Sequence, residues 1–178
     1  MHPEEKARIE IDNKLHFAGW KVVDRTHFSP AMSAVAVTEG ILKGNLEADY
    51  LLFIEGKAIG VIEAKKEGVP LTDAVAKQAE KYAYKLLKWY QHWQNPLPII
   101  YLSNGKELLF KDMRNGESEY KSLQQMHSPK ELAMLAGIEN PFAGLPYLSP
   151  KGLRDCQFEA INAFIVITPK NDGQSNNT

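Results

Sequence analysis

Two neighbouring stretches, Ala48–Ile54 (ADYLLFI) and Ala58–Lys65 (AIGVIEAK), carry apolar side chains at consecutive positions and are separated only by Glu55, Gly56 and Lys57. In an extended chain successive side chains point to opposite faces, so Leu51 and Phe53 take one face and Tyr50, Leu52 and Ile54 the other. The second stretch repeats the arrangement, with Ile59 and Val61 set against Ile62. A hairpin that is apolar on both sides belongs in the middle of a sheet whose two faces are covered by helices. The pair therefore predicts an α/β fold, a mixed central β-sheet flanked by helices.

The remaining segments supply what such a sheet needs. Residues 4–18 place Ala7, Ile11, Leu15 and Ala18 at helical spacing, with acids in the first turn and Gly19 at the end, and predict a helix. WKVVDRT (20–26) reads as a short strand, whereas residues 28–46, mixed and rich in small side chains, leave a loop and an irregular helix both open. After Pro70, Thr72 is placed to cap a long helix from Asp73 to Trp93, ended by Asn95, Pro96 and Pro98. PIIYLS, the turn Asn104-Gly105 and KELLFKD then form a strand, a reversal and a returning strand. On this division residues 1–114 are the core. Residues 115–150 are a connector with a short helix at Pro129–Leu135, packed on the core or leading away from it, and 151–178 are a helical segment (LRDCQFEAINAFIVI) with a flexible tail. A length of 178 residues, 44% of them hydrophobic, suffices for one such domain and falls short of two.

Against this apolar background Asp49, Glu63 and Lys65 stand out. Glu63 and Lys65 are two apart and share a face of their strand. With a plain two-residue turn at Glu55-Gly56, Ile54 pairs with Lys57 and Asp49 falls on the other face, opposite Ile62. An odd loop, or one bulge, changes that parity and brings Asp49 to the side of Glu63. Such a loop or bulge is therefore expected around Glu55-Gly56-Lys57. Two close carboxylates repel and raise one another's pKa unless a cation lies between them. A hard divalent ion such as Mg²⁺ prefers oxygen ligands and keeps waters that a substrate phosphate replaces. The plainer alternative is an ion pair at a strand end, with the acids neutralised by lysines.

Gln78 and Tyr82 lie four apart on the predicted long helix, on the stripe of Val75, Ala79 and Leu86. They either sit at the edge of that stripe or point at the acidic cluster or a phosphate. Lys77, Lys81, Lys85 and Lys88 follow the same helix as a basic stripe, either a solvated face or a track for nucleic acid. The formal net charge of −1 argues against a freestanding, non-specific DNA binder, though not against a nuclease whose DNA is delivered by other subunits. The five histidines are scattered, without zinc-site spacing. Cys156 is the single cysteine, so a reducing, cytoplasmic setting fits. The polar start MHPEEKARIEIDNKL is no secretory signal, and no apolar run reaches the ~20 residues of a membrane helix.

Taken together, these residues resemble the nuclease domain of the restriction (R) subunit of type I restriction-modification enzymes, within the PD-(D/E)xK nuclease superfamily. ADYLLFIEGKAIGVIEAKKEG is similar to the nuclease signature, EEKARIEIDNKLHFAGW to the opening helix, QAEKY to the Gln-x-x-x-Tyr element, and PLPIIYLSNGKELLF to the following strand-turn-strand. LRDCQFEAINA resembles the segment that leads into a motor domain, so the likeness spans residues 4–164. The resemblance implies a restriction-endonuclease-like core in which Asp49 and Glu63 bind Mg²⁺ (with Mn²⁺ as a substitute) and Lys65 is catalytic. It implies that Gln78 and Tyr82 support the site or the DNA, with Glu4, Lys77, Lys81 and Lys85 as weaker candidates. Ala48 stands where the superfamily's name expects proline, a residue that ligates nothing.

The activity implied is Mg²⁺-dependent hydrolysis of double-stranded DNA. Its partners would be methylation and specificity subunits. The sequence contains no G-x-x-x-x-G-K-[ST] loop, which marks the chain as an N-terminal fragment, with ATP bound only by the full-length parent. Two rival functions remain: a non-cleaving DNA-binding or subunit-docking module of the same fold, and a related nuclease of a repair or mobile-element system.

Overall fold

The computed structural model describes residues 3–114, 116 and 119–138. Seven strands form one sheet in the order in which they occur in the chain: β1 (Lys21–Asp24), β2 (Ala34–Leu42), β3 (Leu46–Ile54), β4 (Lys57–Ala64), β5 (Ile99–Ser103), β6 (Leu108–Asp112) and β7 (Lys121–Ser122). The pairs β1·β2 and β4·β5 are parallel and the others antiparallel, so the sheet is mixed. Three helices complete the described fold: α1 (Pro3–Phe17), α2 (Asp73–Ala83) and α3 (Pro129–Leu135).

The two-faced pattern of β3 and β4 has the predicted consequence. On one face Tyr50, Leu52, Ile54, Ile59 and Ile62 pack with Ile11 and Leu15 of α1 and Leu132 and Ala133 of α3. On the other, Leu51, Phe53, Ala58 and Val61 pack with Val75, Ala79, Tyr82 and Ala83 of α2. The fold is thus the expected α/β sandwich of helix, sheet and helix.

The hairpin turn is the two-residue kind, yet the parity still changes. Ile54 pairs with Lys57 and Phe53 with Ala58, but Leu52 pairs with Gly60. Ile59 is the extra residue, a bulge two pairs from the turn. Glu55 and Gly56 both adopt positive φ, at 50° and 69°, as a tight primed hairpin turn requires. Glycine is further needed at 56 because a Cβ there would lie 2.2 Å from the Pro30 carbonyl oxygen.

Several expectations need correction. Residues 34–42, left unassigned in the sequence, form the nine-residue strand β2. The long helix ends at Ala83, ten residues before Trp93. Beyond it the backbone makes only isolated turn bonds, such as Lys85 to Tyr82 and Tyr90 to Leu87, and otherwise takes partners from distant segments. Lys85 accepts from Lys43 N–H, Gln91 accepts from Ala58 N–H, and Trp93 N–H donates to Ala58. Aromatic packing of Tyr90 against Phe28 and Phe53, and the Trp93 indole hydrogen bond to Ile54, favour that irregular path. Thr72 is the N-cap residue of α2, but its side chain makes no capping bond.

The short helix at Pro129–Leu135 falls where expected, opened by a reciprocal capping box of Ser128 and Glu131. It packs on the core, as does β7, so the described part of 115–150 does not lead away. The segment LRDCQFEAINAFIVI, the tail and the motor-leading stretch lie outside the described residues.

Candidate active site

One position past the Tyr50↔Ile62 pair the hairpin reaches Asp49 on β3 and Glu63 on β4. Leu51 and Val61, themselves paired, both face α2. Asp49 and Glu63 lie two residues from them along their strands, level with each other in the register; Ala48 next to Asp49 packs on the α2 side while Arg8 of α1 reaches the Asp49 carboxylate, so alternation is interrupted there. Without the Ile59 bulge, Asp49 would stand against Ile62 instead.

Each acid is held by an identifiable partner. Asp49 Oδ2 accepts from the backbone N–H of Ala64 at 2.8 Å, a bond that ties β3 to the end of β4. Glu63 is almost wholly buried, its side chain 3% exposed, and its Oε1 accepts from Lys65 Nζ at 2.7 Å. Lys65 follows directly on β4, and its own N–H bonds to Ser103 of β5 at 2.8 Å, which fixes where its side chain begins. The three residues named from the sequence therefore meet at one end of the hairpin. The ion pair of the plainer alternative is present as well, between Glu63 and Lys65.

Burial dominates the electrostatics of both acids. Burial pushes the Asp49 carboxyl above its ordinary pKa, against the opposing pull of Ala64 N–H, Arg8 and Lys65. Burial raises Glu63 too; the Lys65 hydrogen bond works against this, and the neighbouring Asp49 charge adds to it. The Asp49 charge thus makes Glu63 costlier to ionise, a condition that a bound cation relieves. Two carboxylates on paired strands are hard oxygen donors suited to Mg²⁺ or Mn²⁺, with waters completing the shell. Among the described residues no group of three or more His, Cys, Asp or Glu side chains gathers as a metal site.

Sequence reasoning did not find Arg8. From α1 its Nη2 lies 3.3 Å from Asp49 Oδ1, while its Nη1 lies 3.4 Å from Glu39 Oε1 on β2. Nothing local marks either residue; Arg8 is 41 positions from Asp49, and only the packing of α1 on the sheet brings them together. Gln78 and Tyr82 are joined to each other, the amide donating to the phenol at 2.9 Å. Among the described residues neither makes a hydrogen bond to Asp49, Glu63 or Lys65. Lys77 and Lys81 are exposed on α2, but Lys85 and Lys88 lie past its end, so the basic stripe along one helix is not formed. The Glu4 side chain lies outside the described part of the structure. An open cavity of about 640 Å³ is lined by Lys6, Glu67, Val69, Asn104 and Lys106 and does not include the three site residues.

A mixed sheet with flanking helices and acids at the end of a bulged central hairpin defines a restriction-endonuclease-like core of the α/β class. Residues 2–119 match the family described as "Type I restriction enzyme R protein N terminus", and the chain belongs to that family. It is similar to the type I restriction enzyme EcoKI endonuclease subunit of Escherichia coli (strain K12), at 29% identity over 217 residues, covering 90% of this chain and 18% of that protein. It is also similar to a solved fragment described as an HsdR subunit of a type I restriction enzyme from Vibrio vulnificus YJ016. That match has a TM-score of 0.51 and 26% identity, and covers 78% of this chain and 26% of the other. The chain therefore spans about a fifth to a quarter of the length of these relatives. Among the described residues no helix is long and apolar enough to cross a membrane.

Proposed function

We propose that this chain is the nuclease part of a type I restriction enzyme R subunit and hydrolyses phosphodiester bonds of double-stranded DNA with Mg²⁺, Mn²⁺ substituting. The observation that supports this reading is the meeting of Asp49, Glu63 and Lys65 at the end of a bulged hairpin, with Asp49 bonded to Ala64 N–H and Glu63 to Lys65. Asp49 and Glu63 would hold the ion. When bound, it would polarise the phosphodiester and lower the pKa of a coordinated water.

The chain's own residues supply the rest. The Ala64 N–H fixes the rotamer of Asp49, and burial of Glu63 keeps its carboxylate from turning to solvent. The Lys65 ammonium stands beside the acids, 2.7 Å from Glu63. It would there orient the attacking water or neutralise charge developing on the phosphate oxygens. Gln78 and Tyr82 act as a linked pair on α2, supporting the site or meeting the DNA backbone. Double-stranded DNA and the methylation and specificity subunits are the partners of the full enzyme. ATP belongs to the parent protein, outside these residues, and a cytoplasmic setting follows from that role.

Supercoiled plasmid incubated with the parent R subunit in its assembled complex tests this reading. Asp49→Ala, Glu63→Ala and Lys65→Ala should each abolish nicking and linearisation while translocation persists. Cleavage by any of the three at the wild-type rate would assign the chemistry elsewhere and leave this domain a docking module.

A further inference from the structure

Arg8 stands in an unusual position for a surface arginine. Its guanidinium is shared between two carboxylates from different strands, at 3.3 Å from Asp49 and 3.4 Å from Glu39, both longer than the ~2.8 Å of a tight charge-assisted bond. Its side chain is 46% exposed, and that of Glu39 47%, so neither is locked by packing. Glu39 has a positive φ of 54° inside β2, rare for a residue with a side chain, and the β2·β3 ladder skips it between Thr38↔Tyr50 and Gly40↔Ala48. That break lies opposite Asp49. The two Asp49 oxygens thus differ: Oδ2 is tied to the backbone of Ala64, and Oδ1 faces a cation held loosely enough to leave.

We infer that Arg8 is a positioning residue that stands in for the metal at Asp49 Oδ1 and gives up that oxygen when a divalent ion binds, remaining paired with Glu39 at the rim of the site. This rests on the proposed metal site. Arg8 stabilises the Asp49 charge while the site lacks an ion, so the carboxylate stays aimed. It also competes with the ion for the same oxygen. Once displaced, its planar fork of donors stands beside the site with a geometry suited to a phosphate.

Competition gives a signature that structural damage cannot imitate. Calorimetric titration of the chain with Mn²⁺, without DNA, should show Arg8→Met binding the ion about tenfold more tightly than wild type, because a like charge next to the ion has been removed. Arg8→Lys, which keeps the charge but cannot bridge two carboxylates, should fall between them, and DNA cleavage by the assembled enzyme should be slower for Arg8→Met. A variant that was merely misfolded would bind Mn²⁺ more weakly. Mn²⁺ binding that requires Asp49 but is unchanged or weakened in Arg8→Met would overturn the placeholder alone. Binding unaffected by Asp49→Ala would overturn the metal site and the placeholder with it.

Discussion

Lys65→Met separates the electrostatic account of the site from simple packing. In the wild type Lys65 Nζ sits 2.7 Å from a Glu63 carboxylate that is only 3% exposed, while the lysine side chain is 26% exposed. Removing one partner of a buried pair leaves an uncompensated charge; fully buried pairs lose about 3–5 kcal/mol, and partial exposure of the lysine brings the expected loss near 3 kcal/mol at neutral pH. Methionine keeps the stem's bulk, so little of this is packing. The pH dependence follows from Glu63. Burial already raises its folded pKa above the ordinary 4.5, and loss of the Lys65 hydrogen bond raises it further. A carboxyl with a raised folded pKa binds more protons folded than unfolded, so stability is lost as pH climbs from the unfolded value through the folded one. The gap between wild type and Lys65→Met should therefore be small while Glu63 is protonated in both folded proteins, open only above the wild type's raised folded pKa, and widen by up to about 1.4 kcal/mol per pH unit until the variant's folded pKa is passed. Mg²⁺ at ten times its Kd should restore about 1.4 kcal/mol of the variant's stability, and none in a Glu63→Gln/Lys65→Met double variant. Urea denaturation from pH 4 to 8, with and without Mg²⁺, measures all of this. A deficit that is the same at every pH would refute the reasoning, since lost packing does not titrate.

Further outcomes follow from individual contacts. Gly56→Ala should cost at least about 2 kcal/mol, because the positive φ and the backbone oxygen of Pro30 both oppose a Cβ; loss below ~0.5 kcal/mol by urea denaturation would contradict the hairpin geometry. Ser128→Ala removes one half of the α3 capping box and should cost about 1 kcal/mol, read as a fall in the denaturation midpoint. Tyr82→Phe deletes the acceptor of Gln78 and should cost about 1 kcal/mol in stability. If the pair also supports catalysis, cleavage in the assembled enzyme falls by more than that loss explains.

What could be read from the chain was whatever depended on short-range pattern. Alternation in β3 and β4 revealed a sheet covered on both faces, and the misfit of Asp49 with a two-residue turn required the bulge that occurs at Ile59. The short helix expected at Pro129–Leu135 is α3 with those bounds. Strand β2 was hidden because Glu39 and Gly40 interrupt its alternation, and its strand character comes from pairing with β3. The end of α2 was hidden for the converse reason. Leu86, Tyr90 and Trp93 keep helical spacing, but Trp93 bonds to Ala58 and Ile54, Tyr90 stacks near Phe53, and Leu86 packs in the core beneath β3 and β4. Arg8 and Glu39 joined the site through the docking of α1, a contact between distant segments that no local spacing encodes.

Diffraction from crystals soaked in Mn²⁺, with anomalous scattering recorded at the manganese edge, addresses the metal site itself. The account predicts one peak in contact with both the Asp49 and Glu63 carboxylates, with Arg8 withdrawn from Asp49 Oδ1. A peak elsewhere, or the two carboxylates on opposite sides of the sheet, would contradict it.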